Sequence, residues 1–213
     1  MDKPYSPACE RNRDPILARL QAAFGDRPLR VLEVGAGTGQ HGAYFSAAQP
    51  QWHWQSTDVA AHLPGISKWQ REAQRPNLPP PRLLDVTRPA DWQPLAQEPW
   101  DLVYSANTLH IMPWTAVQAF FSHLPQLAPL SAGLVIYGAF LRDDAPTAPS
   151  NLAFDADLRA RDPQMGLRRL AAVQALAEAA GFGEPTVTAM PANNLLLQWG
   201  PSSGGEATGA QHS

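Results

Sequence analysis

The sequence predicts an α/β fold: a mainly parallel, seven-stranded sheet covered by helices on both faces. Short apolar runs alternate with segments of helical spacing along most of the chain, and this order is typical of a parallel sheet. Several of the apolar runs end in glycines or acids, which such a sheet gathers at its carboxyl edge, where ligands bind. Two late apolar runs are separated only by a tight turn, so we expect one late strand to be antiparallel.

The N-terminal half shows clear boundary signals. Asp14 and Pro15 are typical of a helix start, and Gly25 is typical of a helix end. The first strand is apolar around one acid, Glu33, and runs directly into glycines, as a buried parallel strand does. In order, this half is predicted to hold a helix at 14–24, a strand at 30–34, a helix at 40–48, a strand at 52–57, a helix at 66–74 and a strand at 82–86.

The C-terminal half continues the alternation around one irregular segment. Pro125 is expected to break a helix, and Gly181 closes a later helix that is rich in Ala and Leu. Residues 141–161 are polar and show no sustained period, so we expect a connection without regular structure. In order, this half is predicted to hold a strand at 101–106, a helix at 115–127, a strand at 134–140, a helix at 167–180 and strands at 186–190 and 195–199.

Composition and charge exclude several classes of function. The 16 Lys and Arg are scattered and are outnumbered by 19 Asp and Glu, so the chain lacks the basic stripe that nucleic acid requires. Cys9 is the single cysteine, which excludes a disulfide framework within the chain and favours a cytoplasmic setting. No apolar run reaches the roughly 18 residues of a membrane span. The histidines show no zinc spacing, so no metal is expected.

The glycines after the first strand carry the sharpest chemical signal. Gly35, Gly37 and Gly39 would let the strand turn into a helix and let a ligand lie on bare backbone. The glycine motif has two possible starting points, or frames. If the motif starts at Gly35, Glu33 lies at the strand end, where it could accept a hydrogen bond from an ammonium group, and this frame suits S-adenosylmethionine (SAM). If the motif starts at Gly37, it matches a dinucleotide fingerprint, but Glu33 would then lie unpaired inside the sheet.

Polar residues follow three further strands. Asp58, in either frame, is an acid that could accept from ribose hydroxyls. Asp85 is expected at the end of the third strand, where it could accept from an adenine amino group, which favours SAM. Asn107 could bind the amino-acid part of that cofactor. His110 is either a general base, since its ordinary pKa is near neutral, or a packing residue.

These motifs resemble those of class I SAM-dependent methyltransferases over about residues 28 to 200. The chain is still more similar to a methyltransferase-like family long known as a domain of unknown function. The segments that carry this resemblance are SPACERN at 6–12, GAGTGQH at 35–41, HIMPW at 110–114, YGAF at 137–140, SNLAFD at 150–155 and MPANN at 190–194. The resemblance implies a Rossmann-like class I methyltransferase fold and SAM as cofactor, with S-adenosylhomocysteine as product, but it fixes no acceptor.

The resemblance and the motifs together give a candidate site. His110 and Tyr137 are the expected catalytic residues. The expected cofactor-binding residues are Arg11, Asn12, Glu33, Gly35, Gly37, Gly39, Gln40, His41, Asp58, Asp85, Val86 and Asn107. The expected substrate-binding residues are Trp114, Asn151, Phe154, Arg159, Asn193 and Asn194.

The expected organisation follows from this site. Residues 1–29 form an arm and a helix over the cofactor, 30–200 form the methyltransferase domain with a lid-like insert at 141–165, and 201–213 form a Gly/Ser-rich disordered tail. The expected reaction is methyl transfer to a small molecule, although a protein acceptor stays open. The alternatives are a non-catalytic SAM-binding or interaction module and, less favoured, an NAD(P)-binding oxidoreductase, for which a Tyr-x3-Lys set is missing.

Overall fold

The computed structural model describes residues 3–127 and 129–201, so nearly all of the predicted tail at 201–213 lies outside the described residues. The described strands are β1 Leu29–Val34, β2 Trp52–Asp58, β3 Arg82–Leu83, β4 Leu102–Ala106, β5 Gly133–Gly138, β6 Phe140–Leu141, β7 Arg168–Arg169, β8 Thr186–Met190 and β9 Asn194–Trp199. The described helices are α1 Pro7–Phe24, α2 Gln40–Ala48, α3 Leu63–Ala73, α4 Pro89–Trp92, α5 Trp114–His123, α6 Pro149–Arg161 and α7 Leu170–Ala179.

Within the described residues, seven strands form one sheet in the order β3-β2-β1-β4-β5-β9-β8. All pairs from β3 to β5 are parallel, whereas β9 runs antiparallel to both of its neighbours. The predicted α/β fold with one late antiparallel strand is therefore confirmed. A small parallel pair, β6 with β7, lies outside this sheet.

The two faces of the sheet carry separate apolar cores, because successive strand side chains point to opposite faces. Leu32 and Val34 of β1 belong to the core that contains Trp92, Trp100 and Trp199. The alternate β1 residues, among them Val31, pack with α1 and with the tryptophans of β2. Trp52, Trp54, Trp92 and Trp100 are thus core residues.

Helix α1 begins at Pro7, seven residues earlier than predicted. Ser6 is the N-cap, and its hydroxyl accepts from the backbone of Cys9, while Pro7 occupies the first turn. Pro15 therefore lies inside the helix rather than at its start. As a result, residues 10–12 are helical and do not belong to an arm that precedes the helix.

The insert after β5 also departs from the prediction, because it contains a 13-residue helix, α6. Only Asn151 and Leu158 of this helix are buried, so it offers almost no apolar periodicity to read. Ion pairs one helical turn apart, from Asp155 to Arg159 and from Asp157 to Arg161, support it locally.

Smaller differences concern the ends of elements. Strand β3 stops at Leu83, so Asp85 lies two residues past it. Pro125 ends α5 in a 3-10 turn, Leu124–Leu127, which confirms the predicted break. Helix α4 was not predicted, and α7 begins at Leu170 because residues 168–169 pair as β7.

Candidate functional site

The glycine loop joins β1 to α2 at the carboxyl edge of the sheet. The amides of Gly35 and Ala36 both donate to the carbonyl of Thr57, at 3.1 and 3.0 Å. Gly35 has φ +76°, and a Cβ there would lie 2.3 Å from Cγ2 of Thr108, so no larger residue fits. Gly37 has φ +59°, but a Cβ on it would meet nothing within 4 Å. The loop is therefore packed tightly at Gly35 and open at Gly37.

Asp58 ends β2 beside this opening. Its Oδ2 accepts from the amide of Gly37 at 2.7 Å, and its Oδ1 accepts from the amide of Val59 at 2.7 Å. Oδ1 also lies 2.9 Å from Nδ1 of His62. The carboxylate is thus fixed against the open part of the loop by backbone donors, as a preorganised acceptor should be.

Glu33 is the penultimate residue of β1, near the strand end as the sequence predicts. It is 2% exposed, and its Oε2 accepts from Nε1 of Trp54 at 2.8 Å and Oγ of Ser56 at 2.7 Å. Burial raises its pKa to about 7, an effect that the charge of Asp58 increases and the two hydrogen bonds oppose. Partners from β2 hold Oε2 of Glu33 within the sheet, and the expected contact of this carboxyl group with a ligand stays a prediction.

His41 is likewise used within the protein. Its Nε2 lies 2.7 Å from Oδ1 of Asn12, and because an amide oxygen only accepts, Nε2 carries the proton. Nδ1 therefore accepts from the hydroxyl of Tyr104 at 3.3 Å. Burial lowers the pKa of His41 to about 4. Both ring nitrogens are occupied, so the predicted contact of His41 with a cofactor is corrected to a role in fastening α1 to α2.

The side-chain amide of Gln40, the first residue of α2, forms hydrogen bonds through its oxygen but not through its nitrogen among the described residues. Its Oε1 accepts from the amide of Ser6 and from the hydroxyl of Thr38, which fixes the orientation of the side-chain amide. Its Nε2 is buried and has no hydrogen-bond partner among the described residues. A buried donor without an acceptor is costly, and a ligand oxygen could satisfy it.

The end of β5 adds a tyrosine in a polar setting. Tyr137 is buried, and its pKa is raised mainly by that burial. The side-chain amides of Asn12 and Asn194 and the charge of Arg11 act on its hydroxyl in the opposite direction. Helix α1, strand β5 and strand β9 therefore converge on this hydroxyl, and Arg11 lies exposed beside it.

His110 lies in the turn after β4 and faces the insert. It is buried, and the ring of Phe154 from α6 packs edge-on against it at 5.1 Å between centroids. Burial, aided by the charge of Arg168, lowers the pKa of His110 to about 4. Arg168 holds this turn, because its guanidinium donates to the carbonyls of Leu109 and Met112.

Helix α6 is attached to the turn between β8 and β9. Nδ2 of Asn151 donates to the carbonyl of Asn193 at 3.0 Å, and Nδ2 of Asn193 donates to the hydroxyl of Ser150 at 3.0 Å. Asn194 donates to the carbonyl of Pro191 and so braces the turn itself. Asn151 and Asn193 therefore link α6 to this turn, whereas Asn194 braces the turn and contacts the hydroxyl of Tyr137.

The remaining predicted residues are placed as follows. Oδ1 of Asp85 accepts from the backbone and hydroxyl of Thr87, and Val86 packs into the core. Asn107 has φ +56°, and its backbone N–H donates to the carbonyl of Tyr137 at 2.8 Å. Trp114 packs against the core. Arg159 pairs with Asp155 within α6 through its Nε and is half exposed, and its contact with a substrate stays a prediction.

Several residues of the site escaped the sequence analysis. They are Trp54, Ser56, His62, Tyr104, Thr108 and Arg168. His62 alone had a local signal, because it follows Asp58 by four residues. The others lie on neighbouring strands and turns, and a single sequence carries no sign of that proximity.

The described residues contain neither a metal cluster nor a membrane-spanning helix. No group of three or more His, Cys, Asp and Glu side chains is arranged to hold a metal ion there. In the same part of the chain, no helix is long and apolar enough to cross a membrane.

Comparison with known proteins extends these observations. The family model described as "Protein of unknown function (DUF938)" matches residues 3–200. An O-methyltransferase family protein from Burkholderia thailandensis is 16% identical, with a TM-score of 0.75 over 92% of this chain and 58% of that one. Human N-acetylserotonin methyltransferase in complex with SAM is 14% identical, with a TM-score of 0.70 over 91% and 53%.

A third structure matches over most of its own length. Magnesium protoporphyrin IX methyltransferase from Synechocystis, with bound S-adenosylhomocysteine, is 19% identical, with a TM-score of 0.63 over 95% of this chain and 90% of that one. The chain spans just over half of the other two. The similarity confirms the class I methyltransferase fold, and at these identities it extends to the fold alone.

Proposed function

The chain belongs to the family described as Protein of unknown function (DUF938), and on that premise we propose that it transfers a methyl group from SAM to a small-molecule acceptor. The observation that carries the proposal is the junction of the open glycine loop with Asp58. Gly37 leaves space over its backbone, and its amide also fixes the carboxylate of Asp58 next to that space. A nucleoside with free ribose hydroxyls fits this combination of bare backbone and fixed acceptor.

The chain offers suitable groups for each part of SAM. Asp58 would accept from the ribose, and Asp85, whose Oδ1 alone is used by Thr87, keeps Oδ2 for an adenine amino group. The free Nε2 of Gln40 and the exposed guanidinium of Arg11 are donors for the carboxylate of the amino-acid part. When bound, SAM supplies an activated methyl group on a sulfonium, so the protein has to position the acceptor and exclude water.

His110 and Tyr137 are the candidates for contact with the acceptor. With a pKa of about 4, His110 is neutral at pH 7, so its ring can accept a hydrogen bond but holds a proton only weakly. Burial keeps Tyr137 protonated at the same pH. The pair is better suited to orienting an acceptor than to removing a strongly held proton.

The two helices that cover the site, α1 and α6, favour a small acceptor. Helix α1 and the segment before it lie over the glycine loop, through the contact of Ser6 with Gln40. Helix α6 within 141–165 places Phe154 against His110. We assign residues 1–29 to covering the cofactor and the insert to closing over the acceptor.

Calorimetric titration tests the proposal, with S-adenosylhomocysteine, SAM, NAD and NADP added separately to the purified protein. We expect the first two to bind and the dinucleotides to fail. Asp58→Ala should weaken binding of S-adenosylhomocysteine by roughly ten- to a hundredfold, since a charged acceptor for the ribose is lost. Binding of NAD or NADP alone would overturn the proposal in favour of an oxidoreductase.

Asp101→Ala provides a matched control for that variant. Asp101 precedes β4 at the opposite, amino edge of the sheet, and its carboxylate likewise accepts from a backbone amide, that of Arg30 at 2.8 Å. Its removal should cost a comparable amount of stability and leave ligand binding intact. A protein that binds SAM but, after a broad acceptor screen, never releases S-adenosylhomocysteine would instead be a non-catalytic module.

A further inference from the structure

The carboxylate of Asp58 already receives three donors. Gly37 donates to Oδ2, whereas Val59 and Nδ1 of His62 both engage Oδ1. A carboxylate offers about four acceptor positions, two on each oxygen. Oδ1 is therefore fully used, and Oδ2 keeps one position.

The three donors differ in how readily they can leave. The amides of Gly37 and Val59 belong to the backbone at the ends of β1 and β2, so their withdrawal would remodel both turns. The side chain of His62 is 50% exposed and sits one turn beyond Asp58. It provides no side-chain cap for α3, and a rotation about its own side-chain bonds would free Oδ1 without breaking a backbone hydrogen bond.

We propose that His62 competes with the ribose of the cofactor for Asp58, and that its imidazole has to swing away before both ribose hydroxyls are bound. The inference rests on the proposed function, in which Asp58 accepts from a ribose. A vicinal diol donates two hydrogen bonds, and the carboxylate has one position left for them. The affinity for the cofactor is therefore reduced by the strength of the contact between His62 and Asp58.

Calorimetric titration with S-adenosylhomocysteine tests the proposal on the wild-type protein and on His62→Ala. We expect the variant to bind about 3- to 10-fold more tightly. With the 2′-deoxy analogue of the ligand the gain should disappear, because one remaining hydroxyl fits the free position on Oδ2. His123→Ala removes a partly exposed histidine from α5 and should change nothing.

The outcomes separate this proposal from the proposed function. If the wild-type protein binds the ligand and His62→Ala binds it equally or more weakly, His62 is a spectator or a support for Asp58, and the competition is refuted. If neither folded protein binds the ligand, the proposed function fails and the competition with it. A gain that persists with the 2′-deoxy analogue would refute the competition as well, because it would not involve the second hydroxyl.

Discussion

Alanine substitutions in the glycine loop should separate what the loop does for folding from what it does for a ligand. Gly35 and Gly37 both have positive φ, yet a Cβ on Gly35 would strike Thr108 and a Cβ on Gly37 would meet nothing within 4 Å. Gly183, which is exposed and shows neither feature, supplies the matched control. The three alanine variants therefore differ by one physical cause at a time.

The expected magnitudes follow from these geometries. A left-handed conformation costs alanine about 1–2 kcal/mol, and the lost freedom of glycine in the unfolded chain returns about 0.4–1 kcal/mol. Gly37→Ala should therefore lower the free energy of unfolding by about 1 kcal/mol. Gly35→Ala adds an overpacking cost of about 1–3 kcal/mol, for a total of about 2–4 kcal/mol. Gly183→Ala should change stability by less than about 0.5 kcal/mol.

Urea unfolding measures these stabilities, and calorimetry with S-adenosylhomocysteine measures binding. Gly37→Ala should lose most of its affinity despite its small cost in stability, because the new methyl group fills the space meant for the ligand. Adding Thr108→Ala to Gly35→Ala should recover part of the lost stability, since it removes Cγ2 and Oγ1. Equal stabilities for Gly35→Ala and Gly183→Ala, or unchanged affinity in Gly37→Ala, would refute the reasoning.

Three further predictions concern buried groups. Folding raises the pKa of Glu33 from near 4.5 to about 7. The free energy of unfolding of the wild-type protein, relative to that of Glu33→Gln, should therefore fall by up to roughly 3 kcal/mol as the pH rises through this interval. Urea unfolding at several pH values would measure this difference, and a difference that stays constant with pH would contradict the prediction. His110→Ala should lower turnover and spare affinity for S-adenosylhomocysteine, whereas lost affinity would make His110 a cofactor residue. Wild-type turnover should show no titration of His110 between about pH 6 and 8, because the pKa of that ring is about 4. Asn151→Ala removes one hydrogen bond between α6 and the 191–194 turn, so hydrogen exchange of the backbone amides in α6 should become about fivefold faster, without a change in α7. Equal exchange rates in α6 of the wild-type protein and the variant would show that this bond does not hold the helix.

The elements that the sequence predicted well have strong local boundaries. Helix α2 runs from Gln40 to Ala48, as predicted, because glycines precede it and Pro50 follows it. Strands β2 and β4 differ from their predictions by one residue each. Their order then determined the sheet, because a parallel sheet leaves few ways to connect such a series.

The elements that were missed lack those signals. Helix α6 buries two side chains, so no apolar stripe marks it. In α1 the pair Asp14 and Pro15 imitates a helix start, although Ser6 and Pro7 provide the real one. Proline costs about 3 kcal/mol inside a helix, and here the packing of α1 against the sheet outweighs that preference.

Site residues were harder to predict than strands, because their partners come from distant parts of the chain. The position of Glu33 near the end of β1 is typical of a ligand contact, yet Trp54 and Ser56 of the next strand donate to its Oε2. His41 followed the glycine loop closely enough to suggest a ligand contact, yet Asn12 and Tyr104 use both of its nitrogens. A motif indicates that residues meet at one place, but it does not say which of them bind each other.

The internal roles of these motif residues decide which cover of the site can open. Helix α1 is pinned by the buried contact between Asn12 and His41 and by the amide of Ser6 on Gln40, and its apolar side is part of a core. Lifting it would expose that core together with several polar groups, at a cost of several kcal/mol.

Helix α6 is attached far more lightly. Besides Asn151 it buries one side chain, Leu158, in a cluster of three buried residues, and the attachment to the 191–194 turn consists of two amide hydrogen bonds. Each such bond contributes about 1 kcal/mol. Opening at α6 is therefore cheaper than opening at α1. The acceptor should enter past α6, beside Phe154 and His110, while α1 stays closed over the glycine loop throughout.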